Sequence, residues 1–419
     1  MQKLIHFRKW TPKTPFYYGW VVLGVSAMGT YLSNASSTVT MAGIQGYILN
    51  DTGWDRYTLS SAVTIGTLGS ALLTPLFGRL ADKFGPRLIM PLISIFIGVC
   101  FYFLSGATSV FQFFVFYILA RAIGTPALIS IVPRTAVVNF FYEKRNLALG
   151  IQSAFRPMSG GLSIQIISVI ATRSNWRNAY KFFSFYGFLS IIPLFLFLRK
   201  TPESIGLLPD GKSIQNVNND QKLTPKEYSW DFKKAIKTRA LWLLSVSQFL
   251  NMMVMGVVGF QFVPYLNDSG MSLRLAATAW SCSIVMDAIF NPVWGLLGDK
   301  FSPRSVLICA IPLAALVTSA FLVIDGGVLA FMFVAIWGAF IGGLEVLGGM
   351  LIANYYGRNS FGAISGVLMP FQVGGLGLGP LAGTFLFKTF SGYRAVFFFA
   401  VCAYLVAGFL IIFARKPIK

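Results

Sequence analysis

Long apolar runs alternate with short polar breaks along almost the whole chain. A helix that crosses a bilayer needs about 20 largely apolar residues, and twelve stretches meet that requirement. They are residues 17–40, 57–78, 88–106, 111–139, 146–171, 178–198, 240–266, 275–297, 305–323, 328–354, 360–387 and 394–414. Most of the breaks are short, so consecutive helices should run antiparallel. The pattern predicts an all-α membrane protein with twelve transmembrane helices.

One polar break is much longer than the others, and it separates six apolar stretches from six more. This break is rich in Lys and predicts a linker between two six-helix bundles. The first apolar stretch is too long for a signal peptide, and we expect no cleavage. The predicted segments are an N-terminal tail at 1–16, a first bundle at 17–199, a linker at 200–239, a second bundle at 240–414 and a C-terminal tail at 415–419.

Composition and charge agree with a membrane location. Hydrophobic residues make up 55% of the chain and charged residues only 11%, whereas about a quarter of the residues in soluble proteins are charged. A net charge of +20 would suggest nucleic-acid binding in a soluble protein. If the N-terminus is cytoplasmic, however, 24 of the 34 Lys and Arg lie on that side and seven on the other, as the positive-inside rule expects. We predict a multi-pass protein of the cell (inner) membrane, with both termini and the linker cytoplasmic and no nucleic-acid partner.

A thirteen-residue pattern occurs twice, at Pro75–Arg87 and at Pro292–Arg304. Each copy joins two apolar stretches, and Asp82 and Asp299 within them lie 217 positions apart, about half of the 419 residues. Two further similarities follow in the same order, one around Asn139 and Asn354, the other at the starts of the sixth and twelfth stretches. A repeat of this length predicts two pseudo-symmetric six-helix bundles, an architecture typical of secondary transporters.

The repeated pattern carries a known signature. Gly78, Leu80, Asp82, Gly85 and Arg87 match Gly-x-Leu-x-Asp-x-x-Gly-x-Arg, and the second copy departs from it only at Ser302. On these residues the chain resembles the major facilitator superfamily, and the resemblance implies that the two loops latch the cytoplasmic side. The latch residues it implies are Gly78, Asp82, Arg87, Gly295, Asp299, Arg304 and, in a motif of the fourth helix, Arg121.

Two other segments resemble one branch of that superfamily. Tyr18-Gly19-Trp20-Val21-Val22 and the segment from Thr201 to Gly211 are similar to the monocarboxylate porters and oxalate:formate antiporters. The resemblance implies a small organic anion as substrate. The chain departs from the branch at Asn291, where the branch carries an Arg, and it has no Lys between Gly366 and Pro380.

Five ionisable residues lie inside the apolar stretches, where each needs a partner, a wet cavity or a neutral state. They are Arg121, Arg134, Arg156, Asp287 and Glu345. Arg156 lies near the middle of its helix, which we expect Pro157 and the following glycines to break. Its planar guanidinium suits a carboxylate, so we predict that it binds a substrate anion. The alternative is an ion pair with Asp287 or Glu345.

Asp287 and Glu345 are the candidate coupling residues. Asp287 lies midway along the eighth helix, and an anion that occupies Arg156 would favour protonation of Asp287, which couples the anion to a proton. Glu345 suits a local ion pair, and a cytoplasmic gate or interdomain pair is the alternative. Buried amides need partners, and those predicted to contact the substrate are Asn34, Gln152, Gln261, Asn291 and Gln372.

The predicted function is secondary active transport of a small organic anion, a mono- or dicarboxylate, by alternating access as proton symport or anion exchange. The alternative is proton-coupled efflux of amphipathic compounds, because Pro157-Met158-Ser159-Gly160-Gly161 partly resembles a helix-five signature of antiporters. A transporter-like sensor is a third reading.

Enzymatic activity is not expected from this sequence. The only histidine, His6, lies in the N-terminal tail, and no Walker, Rossmann or zinc-ligand motif is present in its required context. We therefore predict no catalytic residue, no metal and no cofactor. The expected partners are the small-molecule substrate, a proton and the lipid bilayer, and the expected state is a monomer.

Overall fold

The computed structural model describes residues 14–211, 230–324 and 327–417. Most of the predicted N-terminal tail, the middle of the predicted linker and the last two residues of the C-terminal tail lie outside these described residues. Within them the chain is built from helices and turns, without a β-strand.

The first half contains eight α-helices in the described residues, and they follow the predicted apolar stretches closely. Prolines and caps explain several boundaries: the Asp55 carboxylate accepts a hydrogen bond from Thr58 N at 2.7 Å at the start of the third helix, and Pro86 is the first residue of the fourth. The helices are α1 (Gly19–Asn34), α2 (Thr38–Thr52), α3 (Arg56–Phe84), α4 (Pro86–Ser105), α5 (Val110–Gly124), α6 (Ile131–Phe140), α7 (Arg145–Arg173) and α8 (Trp176–Phe197), with a π-helical turn at Thr125–Ser130 between α5 and α6.

The second half repeats this arrangement. Pro303 is the first residue of its helix, as Pro86 is in the first half, and the residue before it, Ser302, has a positive φ of 79° like Gly85 at 80°. The helices are α9 (Phe232–Ala235), α10 (Arg239–Asp268), α11 (Leu273–Phe301), α12 (Pro303–Ser319), α13 (Gly327–Tyr356), α14 (Phe361–Phe390) and α15 (Tyr393–Phe413).

Ten helical segments of the described chain are long and apolar enough to cross a membrane, and one of them runs through α5, the π-helical turn and α6. The two other predicted stretches are occupied by α1, which has only 16 residues, and by α7, which carries Gln152 and Arg156 in its middle. The helix α1 is too short, and α7 has polar residues in its middle, so neither meets the length and hydropathy expected of a membrane-spanning helix.

The first predicted stretch, 17–40, is wrong at its end. The helix α1 stops at Asn34 and a separate helix, α2, begins at Thr38. Tyr117 and Arg121 both donate hydrogen bonds to the carbonyl of Ser36, at 2.9 and 2.6 Å, and these bonds stabilise the break. Hydropathy alone does not reveal the break, because the predicted apolar stretch 17–40 continues across it.

The expected break at Pro157 is also wrong. The helix α7 runs without interruption from Arg145 to Arg173. Proline removes a single backbone N–H, and a helix that packs on its neighbours within a membrane tolerates that loss. Arg156 therefore projects from a regular helix and not from opened backbone.

The described residues group into two compact units. Unit 1 contains 14–145, 158–211 and 358–366, and unit 2 contains 146–157, 230–324, 327–357 and 367–417. The first turns of α7 thus group with unit 2, although the predicted boundaries include them in the first bundle. The first turns of α14 group with unit 1, although the predicted boundaries include them in the second bundle.

The same helix pairs form the core of each unit. In unit 1, α3 packs on α5 and α4 packs on α8; in unit 2, α11 packs on α13 and α12 packs on α15. Aromatic rings fill the interior of both, with Phe101 against Phe183 in unit 1 and Phe262 against Phe321 in unit 2. The sequence repeat is therefore also a repeat of packing.

Candidate functional site

An ion pair in unit 2 joins Arg156 of α7 to Glu345 of α13. The two guanidinium nitrogens donate to the two carboxylate oxygens, Nη1 to Oε1 at 3.1 Å and Nη2 to Oε2 at 2.8 Å. Such two-bond pairing is the strongest arrangement that these groups form. The Glu345 side chain is 7% exposed, whereas that of Arg156 is 40% exposed. Of the two pairings left open by the sequence, the direct contact is with Glu345.

Asp287 lies beside this pair on α11. Its Oδ1 accepts a hydrogen bond of 3.0 Å from Asn291 Nδ2, one helical turn later. The carboxylate packs directly on Gly342 of α13, where a Cβ atom would overlap Oδ1. Glycine at 342 is therefore what lets a buried carboxylate and its amide partner lie against α13.

The charges of Arg156, Glu345 and Asp287 act on one another. With all three ionised, the cluster carries one positive and two negative charges, a formal charge of −1. Each isolated charge at the centre of a bilayer costs about 2.5–3.5 kcal/mol. The ion pair offsets this cost for two of the groups and leaves Asp287 as the excess carboxylate.

A second set of polar contacts links α10, α13 and α14. Gln248 Nε2 donates to the carbonyl of Leu344 at 2.9 Å, and Gln372 Nε2 donates to Gln248 Oε1 at 3.2 Å. Gly348 gives Gln248 the space to approach α13. Gln248 was not among the predicted substrate contacts, although it is an amide within an apolar stretch and the same rule could have selected it.

Several buried amide atoms of unit 2 have no hydrogen-bond partner among the described residues. Asn251 is 2% exposed, and neither its Oδ1 nor its Nδ2 is paired. The Oδ1 atom of Asn291 and the Oε1 atom of Gln372 are also unpaired. Each such group costs about 1–3 kcal/mol of folding free energy. Asn251 is a second candidate that the sequence reasoning missed.

The predicted substrate contacts do not all lie together. Gln152, Arg156, Asn291 and Gln372 belong to unit 2. Asn34 belongs to unit 1, where its amide donates to the Ser159 hydroxyl. Gln261 is buried near Gly383, about 15 Å along α10 from Asn251 at 1.5 Å per residue.

The two signature aspartates make the same contact in each unit. Asp82 accepts from Gly362 N at 3.0 Å and Ala363 N at 2.8 Å, at the start of α14. Asp299 accepts from Asn146 N at 3.1 Å and Leu147 N at 3.0 Å, at the start of α7. A helix N-terminus favours a carboxylate.

Of the other predicted latch residues, the two glycines lie beside these contacts and Arg87 packs on an aromatic ring. Gly78 packs on the carbonyl of Gly362, and Gly295 packs on the backbone at Asn146. Arg87 lies over the ring of Phe195 at 5.1 Å.

The remaining two latch predictions are arginines that bind backbone or hydroxyl oxygens. Arg304 donates to the carbonyl of Ile412 at 2.6 Å. Arg121 binds Ser36 and Thr38 at the α1–α2 break and Thr67 of α3, at 2.6–2.8 Å, so its described contacts tie the break to α3.

The family model of the Major Facilitator Superfamily matches residues 20–286 and 244–419. The chain belongs to this superfamily, and the predicted all-α fold with twelve transmembrane helices is confirmed. It is a multi-pass membrane protein and a secondary transporter.

Three similar proteins place the chain among diverse transporters. The uncharacterized transporter ESBP6 of Saccharomyces cerevisiae is 25% identical over 349 residues, which cover 80% of this chain and 49% of that protein, so the chain spans about half of its length. The multidrug resistance protein MdtG of Escherichia fergusonii is 24% identical over 403 residues, 91% of each chain. The structure of the human organic anion transporter MFSD10 aligns with a TM-score of 0.69 at 15% identity, over 95% of this chain and 100% of that one.

Proposed function

We propose that the chain is a proton-coupled exporter of amphipathic compounds that carry a positive charge. The observation that carries this proposal is the pairing of Arg156 with Glu345 beside Asp287. The anion site expected from the sequence required an available cation. Instead, the only guanidinium of the cluster is already bound by a carboxylate, and a second carboxyl group lies next to it.

The charge balance of the cluster favours a cation over an anion. A formal charge of −1 attracts a positively charged solute, and the attraction is stronger in apolar surroundings than in water. The similarity to the multidrug resistance protein MdtG supports the efflux part of the proposal. So does the partial antiporter signature from Pro157 to Gly161.

Asp287 and Glu345 are the proposed proton carriers. A proton on either carboxyl group and a cationic solute nearby compete for the same negative charge, so binding of one favours release of the other. That competition is what an antiporter needs. Alternating access would then exchange the two, with Asp82 and Asp299 holding the cytoplasmic ends of α14 and α7 in one of the states.

A small organic anion is the second candidate. The Arg156 side chain is 40% exposed, so a mono- or dicarboxylate could approach it and replace Glu345. The displaced Glu345 or Asp287 would then need a proton, which makes such transport a proton symport. The segment from Thr201 to Gly211 and the Tyr18–Val22 motif favour this branch.

Counterflow in proteoliposomes separates the two candidates. We expect vesicles that contain the full chain to exchange ethidium and tetraphenylphosphonium, and to release protons as the cation enters the site. Lactate and oxalate are the anionic probes. Exchange of the anions without the cations would overturn the exporter proposal. If anion exchange is then lost in Arg156→Gln, the anion site belongs to Arg156. Ser70→Ala, at the position of unit 1 that matches Asp287, is a control variant that removes no charge.

A further inference from the structure

The unpaired amides of unit 2 point to a substrate that carries hydrogen-bond donors. We infer that Asn251, together with Gln372 and Asn291, forms an uncharged subsite that binds N–H or O–H groups of the transported compound. This inference rests on the proposed function and narrows its substrate class to amphipathic cations with amino or hydroxyl groups.

The first step of the argument is the kind of atom left unpaired. Three of the four unpaired atoms of these amides, Asn251 Oδ1, Asn291 Oδ1 and Gln372 Oε1, are acceptors that no donor of the described chain reaches, and the fourth, Asn251 Nδ2, is a donor. For Asn291 and Gln372, the amide nitrogen is already used by Asp287 and Gln248 respectively. These two oxygens are therefore fixed in orientation, and that of Asn291 lies against Gly342 of α13.

The second step is where these amides lie. Gln248 binds both Gln372 and the carbonyl of Leu344, the residue before Glu345. Asn251 follows Gln248 by three residues on α10, about 4.5 Å along the helix axis and on nearly the same face. Asn291 is bonded to Asp287. Asn291 thus contacts the charged cluster directly, Gln372 is linked to α13 through Gln248, and Asn251 lies about one helical turn from Gln248.

The third step is the comparison with unit 1. Asn34 and Asn251 are 217 positions apart and occupy the same place in the repeat. Asn34 donates to Ser159 and is 3% exposed. Its counterpart Asn251 is equally buried, but neither of its amide atoms has a partner within the described part of the chain. Folding alone would favour an apolar residue at 251, because an unpaired buried amide destabilises the structure.

A structural role and a binding role of Asn251 predict opposite effects of its replacement on the stability of the protein. If the amide serves binding, replacement by the similarly shaped Leu should stabilise the ligand-free protein. If the amide serves folding, the same replacement should destabilise it. Thermal unfolding of the purified full chain therefore tests the subsite without knowledge of the natural substrate.

We expect Asn251→Leu to raise Tm by about 2 °C, in line with relief of one unpaired buried polar group. The matched variant Asn34→Leu should lower Tm, because it removes a hydrogen bond and leaves the Ser159 hydroxyl without that donor. A lower Tm for Asn251→Leu, or loss of folded protein, would overturn the inference.

Transport selectivity is the second readout. Ethidium is a lipophilic cation with two aromatic amino groups, and tetraphenylphosphonium is one without any donor. In Asn251→Leu we expect the ratio of kcat/KM for ethidium over tetraphenylphosphonium to fall about tenfold, the effect of one lost hydrogen bond of about 1.4 kcal/mol. An unchanged ratio in a protein that still transports both cations would overturn the subsite. If the wild type moves neither cation, the proposed function fails, and the unfolding measurement still decides the role of Asn251.

Discussion

Unit 1 and unit 2 repeat the same helices but differ in the chemistry of their interiors. At two positions where unit 1 has Ser70 and Thr74, the residues 217 positions later are Asp287 and Asn291. Ser70 and Thr74 use their hydroxyls on backbone carbonyls of their own helix, at 2.7 and 2.6 Å. The shared positions show that the fold accepts a neutral interior, so the charges of unit 2 are an addition that packing does not require.

The two units agree, by contrast, at the signature aspartates. Asp82 and Asp299 each accept two backbone hydrogen bonds from the first turn of a helix. The two units therefore match at the signature aspartates, where a carboxylate binds backbone N–H groups. They differ in their interiors, where charged and amide side chains of unit 2 bind one another. This difference suggests that the signature loops serve the motion common to both units, whereas the cluster in unit 2 serves the solute and the proton.

Replacement of Asp287 by Asn should have the largest effect. The neutral side chain cannot exchange a proton, so we expect transport driven by a pH gradient to fall at least about tenfold, the equivalent of 1.4 kcal/mol. Solute counterflow without a gradient should also weaken, because the cluster becomes neutral, but less than gradient-driven transport. Dye efflux and lumenal pH in proteoliposomes measure both. Normal gradient-driven transport in Asp287→Asn would remove the proton role, and Ser70→Ala should behave as wild type.

Gly342→Ala should have the next largest effect. The added methyl group would overlap the Asp287 carboxylate, and overpacking of this kind costs about 1–3 kcal/mol. Thermal unfolding of the purified protein measures the loss. Gly160→Ala in α7 is the matched control, because an added Cβ there meets no atom within 4 Å. Equal effects of the two variants would contradict the close packing of Asp287 on α13.

Asp82→Asn and Asp299→Asn should have smaller and similar effects. Asn keeps one acceptor but loses the charge and the second acceptor, so we expect each variant to lose about 1–2 kcal/mol of stability. Unfolding temperatures of the two single variants give the comparison directly. A large effect at one aspartate alone would show that the symmetric geometry hides an asymmetric role.

The smallest expected effect concerns the ends of α2 and α10. The Asp51 carboxylate accepts from Trp176 Nε1 at 2.9 Å and pairs with Arg177, while its counterpart Asp268 accepts from the Tyr393 hydroxyl at 2.6 Å. Hydrogen bonds first from Trp176 and then from Arg177 lower the pKa of Asp51.

A lowered pKa means that the contribution of Asp51 to stability is complete above the ordinary pKa of about 3.9. It is lost as the pH falls through the lower pKa of the folded state. Between pH 5 and pH 3, Tm should therefore fall slightly more for the wild type than for Asp51→Asn. Parallel pH curves for the two proteins would contradict this contribution.

Much of the architecture follows from local patterns in the sequence. The twelve predicted stretches match the observed helices to within a few residues at most ends, because the hydrophobic thickness of a bilayer imposes length and composition on each helix separately. The 217-residue repeat identified the aspartates at both signature loops. The main exception is not local: the turn after Asn34 depends on Arg121 and Tyr117, which lie more than 80 residues away in the chain.

The candidate site divides in the same way. The sequence by itself determined which ionisable side chains enter the membrane, because a charge among apolar residues is visible in one dimension. Only the tertiary structure decided that Arg156 is bound by Glu345, that Gln248 joins Gln372, and that Asn251 is unpaired whereas Asn34 is not. These outcomes depend on contacts between helices more than 90 residues apart in the chain. Whether a buried polar atom is satisfied is a property of those contacts, and no single helix encodes it.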